Sequence, residues 1–142
     1  MRVKAWILID APPGQAAALY ADFRSWPSVF PLIHGVRLLR RDHDKLVIEV
    51  RHQEGLVINE LTVSSPTELR LWESKHRYDA QFENCFTAVP QGTLLTVTGV
   101  IKLKGWARLV EPFAATIARR RMMRFQLQPL KAAAEREIRA DR

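Results

Sequence analysis

The chain has 142 residues, of which 47% are hydrophobic and 26% are charged, and this is the composition of one soluble globular domain. Its single cysteine excludes an internal disulfide and a cysteine-rich zinc site. The first apolar run, Ala5 to Ile9, is too short for the core of a signal peptide or for a membrane span, so we expect a cytoplasmic protein.

The formal net charge of +7 is concentrated towards the C-terminus. Residues 108–142 hold nine Lys/Arg and four Asp/Glu, whereas residues 1–107 hold thirteen and eleven. Such a segment can attract RNA, a ribosome or an anionic membrane surface. The arginines that would carry this contact are Arg119, Arg120, Arg121 and Arg124. The alternative is a solvated helix face, because a run of charge is weak evidence by itself.

The predicted elements begin with a strand at residues 3–9, which Pro12, Pro13 and Gly14 end. A short helix follows at residues 15–23. Ser25 is placed to cap a second short helix, which ends before Pro31.

From Leu32 onwards apolar and polar residues alternate, which is typical of half-buried strands. Turn residues at 42–44, 53–55, 64–66 and 90–92 separate consecutive strands that continue to Leu103, and a fifth break lies between the strand that ends at Glu73 and the strand that begins at Tyr78. Six strands joined by short connections make an antiparallel meander, and the N-terminal strand brings the total to seven.

Strong helix formers dominate from Gly105 to Ile138 and predict one long helix, in which Pro129 predicts a kink or a break. Phe113 and Ile117 share an apolar face of its first half, and the apolar line of the second half is rotated from that face. We expect the first half to cover the sheet and the second half to pack on other helices. The alternative is one uniform amphipathic helix bent at Pro129.

These elements predict an α+β fold: a seven-stranded curved antiparallel sheet wrapped around a long C-terminal helix, with two short helices after strand 1. A helix that covers the concave face of such a sheet can leave a cavity beneath it.

Short motifs occur in a consistent order along the chain: Ile9 to Pro13, Leu19 to Pro27, Val36 to Leu39, Gly92-Thr93 and Leu130-Lys131. In order and spacing they resemble the START-like helix-grip superfamily (SRPBCC), which includes polyketide cyclase/dehydrase-type proteins and lipid carriers. The stretch from Trp26 to Pro31 is also similar, in part, to the coenzyme-Q-binding START proteins. The resemblance covers essentially the whole chain and implies a single START-like domain over residues 1–142.

Polar residues on apolar strand faces are the candidate ligand contacts. His52 continues an apolar strand face, and Asn59 and Asn84 each stand between apolar inward residues. In a cavity such groups can orient a carbonyl or hydroxyl of a ligand, and His52 can act as a general acid or base. Alternatively they are hydrogen-bonded within the protein. The predicted ligand-binding residues are Trp26, Phe30, His52, Asn59, Phe82, Asn84, Phe86, Phe113 and Ile117.

Two of these predictions have a structural alternative, since Trp26 and Phe30 can equally pack the short helices against the long one. Arg121 can meet a ligand carboxylate or extend into solvent.

The four histidines show no metal-ligand spacing, and we expect neither a metal site nor a cofactor.

Three functions follow from these observations. The first is binding or transport of a small hydrophobic ligand, namely a lipid, an isoprenoid or quinone, or a polyketide-like ring. The second is a cyclase or dehydratase, for which no converging acid–base pair is visible in the sequence. The third is a basic interaction module that binds RNA, a ribosome or an anionic membrane. The superfamily has no universal catalytic residues, so whether a reaction is catalysed stays open.

Overall fold

Seven strands and a long C-terminal helix make up most of the computed structural model, which describes residues 1–141. The strands are β1 (Arg2–Ile9), β2 (Ile33–Asp42), β3 (Lys45–His52), β4 (Gly55–Ser65), β5 (Glu68–Ser74), β6 (Tyr78–Val89) and β7 (Gly92–Leu103). The helices are α1 (Pro13–Ala21), α2 (Trp26–Val29), α3 (Glu111–Met122) and α4 (Gln128–Ala140). A 3-10 turn precedes each of α2 and α3, at Phe23–Ser25 and Gly105–Val110.

All neighbouring strands pair antiparallel, in the order β1-β7-β6-β5-β4-β3-β2. Short turns place each strand from β2 to β7 beside its predecessor, and β1 then joins the far edge of the sheet by pairing with β7. The segment with α1 and α2 therefore connects the two edges. The predicted helix-grip fold class is confirmed.

Two of the sequence motifs, Ile9 to Pro13 and Gly92-Thr93, meet at one end of the sheet. Gly92 has a φ of 123°, and a Cβ there would lie 2.5 Å from the carbonyl oxygen of Ile9. The buried Thr93 hydroxyl donates a 2.7 Å hydrogen bond to the carbonyl of Ala11. Only glycine fits this close approach, so the turn before β7 and the end of β1 hold each other in place.

Ser25 does not cap α2 as expected. Its hydroxyl donates a 2.7 Å hydrogen bond backwards to the carbonyl of Asp22, the residue before the 3-10 turn. The backbone of Ser25 is already helical, with φ of −81° and ψ of −13°, whereas a capping residue needs extended backbone. Pro27 occupies the first turn of α2, where its missing N–H is tolerated.

The C-terminal helix runs through Pro129, which lies in the first turn of α4. The predicted irregularity is present just before it, as a π-helical segment at Met123–Leu127. Pro129 has no N–H to donate, and its ring crowds the preceding turn of the helix. The wider π-helical turn relieves this crowding. The extra residue rotates the buried face, which includes Leu127 at the end of this segment and Leu130, Ala133 and Ala134 beyond it.

Both halves of this helix pack on β1, but only the second half also packs on the short helices. α3 packs mainly on β1, while α4 packs on α1, on α2 and on β1. As expected, the first half of the helix, α3, packs on the sheet. The second half, α4, packs on the two short helices as expected and also on the edge strand β1. Among residues 1–141, no helix combines the length and the apolar character needed to cross a bilayer.

Candidate functional site

A cavity of about 280 Å³ lies between α3 and the inner face of the sheet. The helix turns two small residues, Ala114 and Ala118, towards the sheet, and this leaves space that larger side chains would fill. The strands contribute a largely apolar wall, which consists of Val50, Val57, Leu71, Phe82, Ile101 and Leu103. Trp26 and Phe30 extend the wall from α2 and its C-terminal end.

The aromatic side chains at this wall pack against one another. The Trp26 indole N–H donates a 2.8 Å hydrogen bond to the carbonyl of Tyr20, and the rings of Trp26 and Phe30 pack edge to face at 6.3 Å. Both side chains therefore line the cavity, and they also pack against each other and against Tyr20 of α1.

The cavity wall carries one buried charged cluster, in the hairpin that joins β5 to β6. Glu73 is 8% exposed, and its Oε1 accepts a 3.1 Å hydrogen bond from the Tyr78 hydroxyl. The Lys75 ammonium lies 4.0 Å from the same oxygen and 5.4 Å from the centre of the Tyr78 ring. All three side chains line the cavity.

A network on the far side of the hairpin supports this cluster. The Lys104 ammonium donates hydrogen bonds to the Ser74 hydroxyl and the Lys75 carbonyl, at 3.2 and 3.0 Å, and lies 2.7 Å from the Asp79 carboxylate. Hydrogen bonds from Lys104 and from Ser74, and then the charge of Lys104, lower the pKa of Asp79. The backbone that carries Glu73 and Lys75 is therefore fixed from outside the cavity.

Burial sets the protonation of the cluster. It raises the pKa of Glu73, and the positive charge of Lys75 and the hydrogen bond from Tyr78 offset only part of the rise. Burial and the nearby carboxylate also raise the pKa of Tyr78, so the phenol keeps its proton and donates it. Glu73 is thus a carboxyl group that holds a proton more readily than a surface glutamate.

Asn59 on β4 lies directly opposite Glu73 on β5 in the strand register. It is 4% exposed and lines the cavity, and no group among residues 1–141 donates a hydrogen bond to its Oδ1 atom. An unpaired buried acceptor is unfavourable by about 1–3 kcal/mol. A donor supplied by a bound molecule would remove this cost.

His52 lies at the end of β3, where it is half-buried and lines the cavity. Its Nδ1 accepts a 3.2 Å hydrogen bond from the backbone N–H of Glu54, which assigns the ring proton to Nε2. Burial, and then the charge of Lys75, lower the pKa of His52, so the ring is neutral near pH 7.

Arg121 occupies the rim of the cavity. Its guanidinium donates a 3.2 Å hydrogen bond to Oε1 of Glu54, in the turn between β3 and β4. This ion pair joins α3 to a hairpin on the opposite side of the opening. The carboxylate that Arg121 meets is therefore one from the protein, and the Arg121 side chain is exposed, as the solvent-facing alternative predicted.

The structure brings together most of the predicted ligand-binding residues. The cavity is lined by Trp26, Phe30, His52, Asn59, Phe82 and Ile117. Asn84 and Phe86 are buried but lie outside the cavity wall, because α1 covers their end of the sheet. The Asn84 amide lies 3.5 Å from the Leu69 carbonyl, and the Phe86 ring is 6.5 Å from that of Tyr20.

The placement of Phe113 on the sheet-facing side of the helix is wrong. Its side chain is 71% exposed and does not line the cavity. Successive helix residues are separated by about 100°, and α3 turns the neighbouring Ala114 inwards, so Phe113 points away from the sheet.

Sequence reasoning missed Glu73, Tyr78 and Lys75 as site residues. The alternation that places Leu69 and Leu71 inside also places Glu73 inside, and Tyr78 stands on the same face as Phe82. The period-two pattern was therefore the available signal for Glu73. No pattern marks Lys75, which lies in the turn. Within residues 1–141, no three His, Cys, Asp or Glu side chains are grouped so that they could hold a metal ion.

Comparisons with known proteins agree with this architecture. The sequence model of a family described as polyketide cyclase/dehydrase and lipid transport matches residues 1–135. No curated protein sequence is significantly similar to the chain.

Solved structures with a similar fold cover nearly the whole chain. The Zhui aromatase/cyclase from Streptomyces sp. R1128 has a TM-score of 0.79 at 15% identity, over 99% of this chain and 97% of that one. A protein from Thermus thermophilus gives 0.75 at 14% identity, over 99% of both chains. A START superfamily protein from Mycobacterium smegmatis gives 0.66 at 18% identity, also over 99% of both. At these identities the likeness shows the fold.

Proposed function

The chain belongs to the polyketide cyclase/dehydrase and lipid-transport family, and we propose that it is one START-like domain that binds or carries a small hydrophobic ligand beneath α3. The observation that carries this proposal is the cavity of about 280 Å³ with mainly apolar walls and a buried polar cluster of Glu73, Lys75 and Tyr78. The ligand class is a lipid, an isoprenoid or quinone, or a polyketide-like ring.

The walls favour an apolar body with a polar end. Binding would come mainly from burial of apolar surface against side chains such as Phe82 and Met122, at roughly 25 cal/mol per Å² before the costs of association. The volume lies near the lower end of ordinary small-molecule sites, which suits a few rings or a segment of a chain.

The polar end would sit near Asn59. A ligand hydroxyl can donate to the unpaired Oδ1 of Asn59, and a ligand oxygen can accept from the Lys75 ammonium. The ligand that fits this wall is therefore a hydroxylated or phenolic compound rather than a pure hydrocarbon.

The first test is native mass spectrometry of the protein purified from its own host, followed by organic extraction to identify the bound compound. A matched pair of variants then locates the site. Ala118→Phe fills the cavity, whereas Ala132→Phe adds the same ring at an exposed position on α4.

The expected result is that Ala118→Phe lowers affinity for 2-naphthol at least about tenfold and that Ala132→Phe leaves it unchanged. Equal affinity in the two variants, or no binding of any apolar compound to the wild type, would contradict the proposal.

The buried carboxyl favours a second candidate, an enzyme that removes water from a β-hydroxy ketone. Glu73, protonated beside Tyr78, would give its proton to the departing hydroxyl as the C–O bond breaks. The carboxylate would then take a proton from the carbon next to the ketone as the C=C bond forms, which restores the acid. In this candidate one carboxyl group acts first as the acid and then as the base, in place of the acid–base pair that the sequence did not reveal.

Turnover of 4-hydroxy-4-phenylbutan-2-one to its conjugated enone tests the second candidate. Absorbance of the enone would rise with wild-type protein and not with Glu73→Gln. The control variant is Glu68→Gln, on an exposed position of the same strand. No enone above the uncatalysed rate would leave ligand binding as the function.

A further inference from the structure

We propose that the chain docks on anionic lipid bilayers through an apolar patch at the start of its C-terminal helix, formed by Trp106, Leu109, Val110, Phe113 and Ile117. The exposed fractions of Leu109, Phe113 and Trp106 are 82%, 71% and 59%. Ile117 and Val110 are 54% and 41% exposed. Single exposed apolar residues are ordinary on protein surfaces, but five within twelve consecutive residues are not.

The patch borders the opening of the cavity. Trp106, Val110 and Ile117 also line the cavity, while Leu109 and Phe113 extend outwards from it. The glycine that starts this segment, Gly105, has a φ of 58° and turns the chain from β7 into the 3-10 turn that carries Trp106 and Leu109. A surface that covers the patch would therefore face the cavity entrance.

Positive charge surrounds the patch. Between residues 105 and 134 the chain has six Lys/Arg and a single acidic residue, Glu111. Arg108 is exposed within the patch, and the Arg77 guanidinium lies 5.0 Å from the centre of the Trp106 ring. At about 100° per residue, Arg120 falls on the same side of α3 as Phe113, and Arg124 follows one turn later.

This combination of groups fits an anionic bilayer. Leucine, phenylalanine and tryptophan enter the boundary between headgroups and acyl chains, and arginines reach lipid phosphates from beside them. A second copy of the chain would bring a patch with the same positive charge. RNA would use the arginines but leave Leu109, Phe113 and Ile117 in water.

Flotation or sedimentation with vesicles tests the proposal, with phosphatidylcholine vesicles made with and without phosphatidylglycerol. The apolar variant is the double substitution Leu109→Ser and Phe113→Ser. Its control is Trp6→Ser, a residue 61% exposed on the outer face of β1. The charge variant is Arg120→Gln with Arg124→Gln, and its control is Arg40→Gln with Arg41→Gln on β2, at positions that are likewise exposed.

We expect wild-type protein to bind the anionic vesicles and to bind neutral ones weakly. The apolar variant should bind the anionic vesicles at least about tenfold more weakly. The affinity of the charge variant for the anionic vesicles should be about fivefold lower for each arginine removed. Both controls should bind as the wild type does. Quenching by brominated lipid should reach Trp106 and should be lost in Trp106→Phe.

Three outcomes would overturn the proposal: no binding to either vesicle, equal binding by the apolar variant and its control, or binding to RNA without binding to vesicles. None of these outcomes depends on whether the cavity holds a ligand. The vesicle experiments therefore test this proposal independently of the ligand-binding proposal.

Discussion

The Tyr78 hydroxyl donates a 3.1 Å hydrogen bond to Oε1 of Glu73 inside a cavity whose other walls are mostly apolar. Burial raises the pKa of this carboxyl, and the lysine 4.0 Å away and the hydrogen bond from Tyr78 offset part of the rise. The residue therefore links the pH dependence of stability to the chemistry that the cavity can perform.

Glu73→Gln should change how stability depends on pH. Burial raises the pKa of Glu73 in the folded protein, so the folded state binds more protons than the unfolded state between the ordinary glutamate pKa and the raised value. The free energy of unfolding of the wild type therefore falls as the pH rises through this window. The total decrease is about 1.4 kcal/mol for each unit by which folding raises the pKa of Glu73. Glu73→Gln should lose this dependence in urea unfolding at pH 5 and pH 8. A wild-type pH dependence retained in the variant would refute the assignment, and Glu68→Gln is the control.

Asn59→Leu should leave the free protein as stable as the wild type or more stable by up to about 1 kcal/mol, because it removes an unpaired buried acceptor. Asn84→Leu should destabilise by about 1 kcal/mol, because it removes the partner of the Leu69 carbonyl. Chemical denaturation of both variants measures the difference. In addition, Asn59→Leu should bind 2-naphthol and naphthalene with similar affinity, whereas the wild type should prefer 2-naphthol. A large loss of stability in Asn59→Leu would mean that Oδ1 has a partner.

His52→Gln should reduce the loss of stability in mild acid. Burial lowers the pKa of His52, so below the ordinary histidine pKa the unfolded state binds more protons than the folded state. Wild-type stability is therefore complete above that ordinary value and falls as the pH decreases towards the lowered one. Thermal unfolding between pH 7 and pH 5 should show a smaller decrease for His52→Gln than for His43→Gln, since His43 is exposed. Identical decreases in the two variants would contradict this account.

Breaking the ion pair between Arg121 and Glu54 should affect ligand exchange more than stability. Both side chains are about half exposed, so Glu54→Gln should cost less than about 1 kcal/mol of folding free energy. Because the pair joins α3 to the β3–β4 turn across the cavity opening, the ligand should dissociate several-fold faster in the variant. Stopped-flow dilution of bound 2-naphthol measures this rate. An unchanged dissociation rate, with Glu60→Gln as the control, would show that the pair does not restrict the opening.

Local patterns in the sequence were sufficient for the fold. Period-two alternation from Leu32 to Leu103, with turn residues between the strands, predicted six strands, and the apolar run at residues 3–9 predicted the seventh. Helix formers after Gly105 predicted the long helix. These signals work because a strand or helix must bury one face, and the pattern of apolar residues records which face that is. The same pattern placed Asn59 and Glu73 on the inner side, although it drew attention only to the first.

Tertiary packing decided which inner residues line the cavity. Phe82 and Phe86 have the same local pattern, on the same face of β6, yet Phe82 lines the cavity and Phe86 is buried against Tyr20. The difference is that α1 covers one end of the sheet, while α3 spans the other end with small side chains. No pattern within one strand contains this information.

The rotation of α3 is the second feature that the sequence alone did not determine. Ala114 and Phe113 are adjacent and both apolar, and the helix turned the smaller one inwards. The 3-10 turn at Gly105–Val110 precedes α3 and the π-helical segment at Met123–Leu127 follows it, and neither has the regular helical period on which a sequence-based assignment of faces depends. The sequence therefore determined which elements form and which strand faces are buried. Only the tertiary structure decided where space remains between those elements and which apolar residues stay exposed.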